Sequence, residues 1–159
     1  MASMALFPTQ KALRTGTLLV FLQLGLLLLM TLLALPAIFR LAIPLGAWLL
    51  AVIAVALALW TLRHNRLGNF SIHPKPKGSG VLVTSGPYRW IRHPMYSAVL
   101  LGAAALAWLS NPLAAWTAWL ALALVLLLKS RMEETWLQQR HPDYGAYMQR
   151  SKRFLPWLL

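Results

Sequence analysis

Residues 17–39 read TLLVFLQLGLLLLMTLLALPAIF, and this stretch decides the fold. It carries no charge over 23 residues, roughly 34 Å of helix, which is enough to cross a bilayer. A second apolar run at 41–62 has about the same length. Runs at 95–109 and 112–128 are shorter, roughly 22 and 26 Å as helices. The turn Ser110-Asn111-Pro112 separates them. They read as a helical hairpin whose tip sits below the far membrane surface, a mismatch that tilt or local thinning absorbs. The expectation is one all-α integral membrane domain over 1–159, with four transmembrane helices. A signal peptide is the rival reading of the first run, because Lys11 and Arg14 precede it. Its apolar stretch exceeds the usual 7–15 residues, however, and a second run follows almost at once.

Composition agrees. Hydrophobic residues make up 59% of the chain, against about 45–50% in soluble domains. Cysteine is absent, which excludes disulfides, thiolate metal sites and cysteine nucleophiles. The formal net charge is +12, with Glu133, Glu134 and Asp143 the only acidic residues. Because the basic residues flank apolar runs, anionic lipids are the expected partners, at about 1 kcal/mol per basic residue near the surface. No basic-aromatic module for nucleic acid is visible, and no metal is expected.

Lys and Arg fall almost wholly on one side. Lys11 and Arg14 precede the first run; Arg63, Arg66, Lys75, Lys77, Arg89 and Arg92 occupy the long loop; six more follow residue 128. Only Arg40 lies opposite. The positive-inside rule then places both termini and the long loop in the cytoplasm, at the inner membrane if the source is bacterial. The loop contains the turn-rich run His73-Pro74-Lys75-Pro76-Lys77-Gly78-Ser79-Gly80. The fourth helix is expected to run on to about Arg140 and stop before Pro142. Asp143 would cap a final amphipathic helix ended by Pro156.

Polar residues concentrate in two clusters near that same surface. The first is Gly86-Pro87-Tyr88-Arg89-Trp90-Ile91-Arg92-His93-Pro94-Met95-Tyr96. Pro94 suits the first turn of a helix, which puts His93 at the boundary. A helix N-terminus with Arg92 and His93 beside it offers donors to a carboxylate or phosphate. The second cluster is Lys129-Ser130-Arg131-Met132-Glu133-Glu134, where Lys129 and Glu133 share a helix face. Taken alone, Tyr88, Arg89 and Arg92 fit interfacial anchors, and Glu133 and Glu134 fit a solvated face. Together the clusters suit a zwitterionic ligand with a carboxylate at one end and hydroxyls at the other; they do not name a reaction. No histidine–carboxylate pair is evident along the chain.

The two clusters resemble the signature of the isoprenylcysteine carboxyl methyltransferases, which share a core with phospholipid N-methyltransferases. The matching stretches are Leu82-Val83-Thr84-Ser85-Gly86-Pro87-Tyr88-Arg89, Arg92-His93-Pro94-Met95-Tyr96, and Glu133-Glu134 with Tyr144, Tyr147, Arg153, Phe154 and Pro156. The resemblance covers roughly residues 66–157. It implies S-adenosylmethionine as cofactor, held without a Rossmann fold by segments at about 80–96 and 129–157. Val81, Leu82, Val83, Tyr88, His93, Pro94, Met95, Tyr96, Glu133 and Glu134 would line that pocket. In the prenylcysteine enzymes an arginine four residues before the cofactor glutamate is implicated in binding the acceptor carboxylate; here Lys129 stands there, with Arg131 and Arg92 as further acceptor contacts.

The reaction implied is in-line transfer of the sulfonium methyl to a lipophilic carboxylate arriving through the bilayer. An ammonium acceptor would first have to lose a proton. Methylation of a phospholipid amine or of a small hydrophobic thiol is the alternative within enzymes. A small transporter or scaffold is the alternative outside them, and the lack of any ionisable residue in the first two runs speaks against transport.

Overall fold

The computed structural model describes residues 10–41, 43–65, 81–110 and 112–156. The described residues form five α-helices: α1 (Gln10–Phe39), α2 (Leu45–His64), α3 (Pro94–Trp108), α4 (Pro112–Arg140) and α5 (Tyr144–Arg150). A 3-10 turn, Gly86–Arg89, precedes α3. The run His73–Gly80 lies outside the described residues. Among those described there is no strand, only an isolated parallel bridge between Ile91 and Lys152.

α1, α2 and α4 are each long and apolar enough to cross a membrane, whereas α3 has 15 residues. These apolar helices fit an integral membrane protein. Large apolar side chains point outward: Phe21 and Leu28 on α1, Val52 and Val55 on α2, Leu120 and Leu124 on α4 are all exposed. Small ones point inward, with Ala47, Ala54, Ala98, Ala103, Ala107, Ala115 and Ala118 buried. Lipid is as apolar as leucine, so close backbone approach between small residues holds such helices together. α3 is central and packs on α1, α2 and α4, with α2 its most extensive partner. A Cβ added to Gly102 would lie 3.8 Å from the Ala54 Cβ, ordinary contact across the α2–α3 seam. The Trp119 indole on α4 donates to the Leu100 carbonyl of α3 at 2.9 Å, satisfying a polar group within the bundle.

Helix boundaries differ from the sequence reading in two places. α2 begins at Leu45, behind Pro44, not at Leu41. Leu41 adopts φ 52 in the turn, a left-handed conformation no helical residue can hold. At the other end, α4 runs to Arg140 as expected. α5, however, stops at Arg150, well short of Pro156, because Ser151 is extended. Asp143 occupies the N-cap position of α5 without a side-chain capping bond.

Candidate functional site

Where α3 begins, the backbone is clamped by the chain's last described segment. The Arg92 N–H donates to the Lys152 carbonyl at 2.7 Å, the His93 N–H to the Arg153 carbonyl at 3.1 Å, and the Lys152 N–H to the Trp90 carbonyl at 2.9 Å. Ser97 Oγ donates to the Phe154 carbonyl at 2.6 Å. The 3-10 turn aims the approach. Gly86 sits at φ +59, and a Cβ there would come within 2.3 Å of the His64 ring. Only glycine meets both conditions.

The buried stripe of α4 starts apolar and ends charged: Ala115, Ala118, Leu122, Val125 and Leu126 are followed by Lys129, Ser130 and Glu134. These recur three and four apart, so one helix face carries the bundle core into the polar site. Glu134 is 3% exposed. Its carboxylate accepts from Arg92 Nε at 2.7 Å and Arg153 Nε at 3.1 Å, and from Arg153 Nη2. His93 Nε2 lies 3.2 Å from the same Oε1. Arg92 also donates to the carbonyls of Met148 and Ser151. One carboxylate thus ties α4 to the start of α3 and to the segment beyond α5.

Glu133 is placed differently. His93 Nδ1 lies 3.3 Å from its Oε2, and the Tyr96 hydroxyl donates to its Oε1. Its side chain keeps 17% exposure against 4% for Glu134, so Glu133 is the more open of the two. The His93 and Tyr96 rings stack at 5.4 Å with a 6° interplanar angle. Burial acts to lower the His93 pKa, but hydrogen bonds to Glu133 and Glu134 outweigh it and raise it. The Arg153 pKa is raised chiefly by its hydrogen bond to Glu134.

A histidine–carboxylate pair is therefore present, contrary to the linear reading. His93 precedes the glutamates by some 40 positions, and only folding brings them together. Both ring nitrogens face carboxylates, so His93 links the two glutamates.

The remaining expected residues are distributed around this core. Lys129, 1% exposed, donates from Nζ to Gln23 Oε1 of α1 at 2.6 Å and lies 5.3 Å from the Tyr96 ring centroid. Pro94 is buried and Met95 half-buried at the first turn of α3. Tyr88 receives a 2.9 Å hydrogen bond from Asn65 Nδ2, and its carbonyl accepts from the Tyr147 hydroxyl at 2.6 Å. Burial pushes the Tyr88 phenol up to about 12, with the Asn65 bond opposing. Val81, Leu82 and Val83 form an irregular segment leading into the turn, with Val81 60% exposed. Arg131 is exposed on α4.

Sequence reasoning passed over Gln23, Asn65 and the ionic role of Arg153. Gln23 had a signal, being the sole amide side chain in the run 17–39. Among the described residues no group of three or more His, Asp or Glu side chains is placed to hold a metal ion.

An all-helical membrane protein with a buried imidazole between two carboxylates, at the end of a short central helix, is the class this architecture defines. The family model for phospholipid methyltransferase matches residues 39–144, and the chain belongs to that family. The match includes His93, Tyr96, Lys129, Glu133 and Glu134, but neither Gln23 nor Arg153. The cobalt-zinc-cadmium resistance protein CzcN of Cupriavidus metallidurans is 40% identical over 82 residues, covering 50% of this chain and 38% of that protein. The chain thus aligns with well under half of that relative's length.

Proposed function

We propose that the protein transfers a methyl group from S-adenosylmethionine to the carboxylate of a lipophilic, prenylcysteine-like acceptor within the bilayer. The observation carrying this reading is the pairing of Glu133, partly open, with Lys129, a cation buried in the bundle two residue contacts away through Tyr96.

The donor set fits the cofactor. Glu133 is a carboxylate already oriented by His93 and Tyr96, suited to accept from hydroxyl or ammonium groups. The irregular segment at Val81, Leu82 and Val83 lies outside any helix or strand and leads into the turn before His93. Bound there, S-adenosylmethionine would supply a methyl already activated on sulfonium, so the protein need mainly align the reactants and exclude water. Glu134 and Arg92, whose polar atoms face one another, serve to position Glu133 and His93. Lys129 serves the acceptor. A carboxylate acceptor attacks without prior deprotonation, which suits a site whose histidine is held between two acids.

Four spans with both ends of the described chain in the cytoplasm complete the reading, with anionic lipids around the basic flanks. Single cysteines at Ser110 and at the exposed Ala146, in a chain with none of its own, should label from opposite faces. Ser151 is unsuitable for this, being 3% exposed.

Calorimetric titration of S-adenosylhomocysteine into detergent-purified protein tests the cofactor. Transfer of tritiated methyl to N-acetyl-S-farnesylcysteine tests the acceptor. Absence of binding heat would overturn the methyltransferase reading. Binding with label passing to phosphatidylethanolamine alone would replace the carboxylate acceptor with a lipid amine.

A further inference from the structure

We infer that Gln23 and Lys129 together form a two-donor anion subsite at the junction of α1, α3 and α4, which receives the anionic end of the acceptor. This rests on the reading of Lys129 given above and adds to it a residue that lies before the family-matched segment.

A lysine near a membrane surface ordinarily extends its ammonium outward to the headgroups. Lys129 does the reverse. It is 1% exposed, and its Nζ reaches Gln23 Oε1 at 2.6 Å. Gln23 lies nine residues past Arg14 along α1, roughly 13 Å further along the helix axis. An ionisable group turned into a bundle at that depth is costly unless it is used.

The orientation of the Gln23 amide follows from chemistry. An ammonium can only donate, so the amide must present its oxygen to Lys129 and its NH₂ elsewhere. Among the described residues that NH₂ has no partner, and Gln23 is only half-buried, so the group stays within reach of a molecule in the bilayer. An apolar environment leaves such a donor unsatisfied until an acceptor arrives. The stripe Gly16, Leu19, Val20, Met30 and Ala34 is the buried side of α1, and position 23 falls on it, facing α4. Lysine alone is a point charge that discriminates weakly among anions. An ammonium with an amide N–H beside it presents two donors to the two oxygens of one carboxylate or phosphodiester. The Tyr96 ring beneath Lys129 connects this subsite to Glu133, so the anion would be held next to the proposed cofactor contact.

Two variants separate a ligand-binding role from a structural one. Gln23→Met keeps the volume and removes the amide. Gln23→Glu keeps and strengthens the tie to Lys129 but removes the N–H donors and neutralises the cation. Purified full-length protein is assayed with tritiated S-adenosylmethionine against N-acetyl-S-farnesylcysteine, for a carboxylate, and phosphatidylethanolamine micelles, for a phosphodiester. Both variants should raise the KM of the methylated probe, by about five- to twentyfold for Met and more for Glu. Turnover at saturation and S-adenosylhomocysteine affinity should stay within about twofold. Whichever probe shows the rise identifies the anion. A Gln23→Glu protein with wild-type KM would mean that Gln23 only ties α1 to α4, and the subsite would be wrong. If wild-type protein binds S-adenosylhomocysteine but methylates neither probe, the acceptor reading itself fails and the subsite goes with it.

Discussion

Between α2 and α3 the chain packs with alanine and glycine, whereas at the start of α3 it packs with ions. The two regions belong to one short helix, yet they are held by different physics. In the seam around Ala54, Ala98 and Gly102, no polar group needs a partner, and stability comes from the closeness of two backbones. At the start of α3, three side chains, Arg92, His93 and Arg153, converge on the two glutamates, and each depends on the others for compensation. The seam should lose stability in proportion to volume added. The ionic junction should fail abruptly when one member is removed, because the rest are left buried and unbalanced.

Glu134→Ala should therefore produce the largest effect. It strands Arg92, Arg153 and His93 together, and breaking a buried pair costs about 3–5 kcal/mol. Thermal denaturation in detergent would show it; a shift no larger than that of a surface variant would mean the junction is not structural. The neighbouring residue sharpens the contrast. Glu133→Gln should weaken S-adenosylhomocysteine binding by about 1.5–3 kcal/mol, the range for a charge-assisted hydrogen bond, while moving the melting temperature less than Glu134→Ala does. If the two variants melt alike, the difference between the adjacent acids is lost.

In the seam, Gly102→Leu should destabilise by about 1–3 kcal/mol through overpacking against α2. Gly102→Ala should be close to neutral, since its Cβ would meet Ala54 at 3.8 Å. A Leu variant with wild-type melting would place that face toward lipid. The smallest effect should come from pH. The folded His93 pKa is raised above its ordinary 6.5, burial being outweighed by the hydrogen bonds to Glu133 and Glu134. Its contribution is complete below the unfolded value and is lost as pH rises through the folded one. The melting temperature should fall by a few degrees as pH rises above the ordinary histidine value, and His93→Gln should flatten that slope while the seam variants keep it.

Much of this was legible along the chain. The four apolar runs, the extension of α4 to Arg140 and the start of α3 at Pro94 follow from hydrophobic length and proline position, which act locally. The candidate set of His93, Tyr96, Lys129, Glu133 and Glu134 is marked instead by the two polar clusters and the family resemblance they carry. The boundary at Leu45 was missed because an apolar run does not reveal a turn that leaves polarity unchanged; Pro44 was the cue.

The sequence by itself determined that this chain crosses a membrane and carries two polar clusters at the ends of its helices. Tertiary structure alone decided which of two adjacent glutamates is sealed by arginines and which stays partly open. It also decided that His93 lies between them, and that Lys129 turns inward to Gln23. The reason is the range over which the two kinds of information act. Helical periodicity fixes a residue's face relative to neighbours three and four positions away. The contacts that define the site join residues 41, 42 and 106 positions apart, and their pairing is set by how the helices rotate against one another once small side chains let them meet.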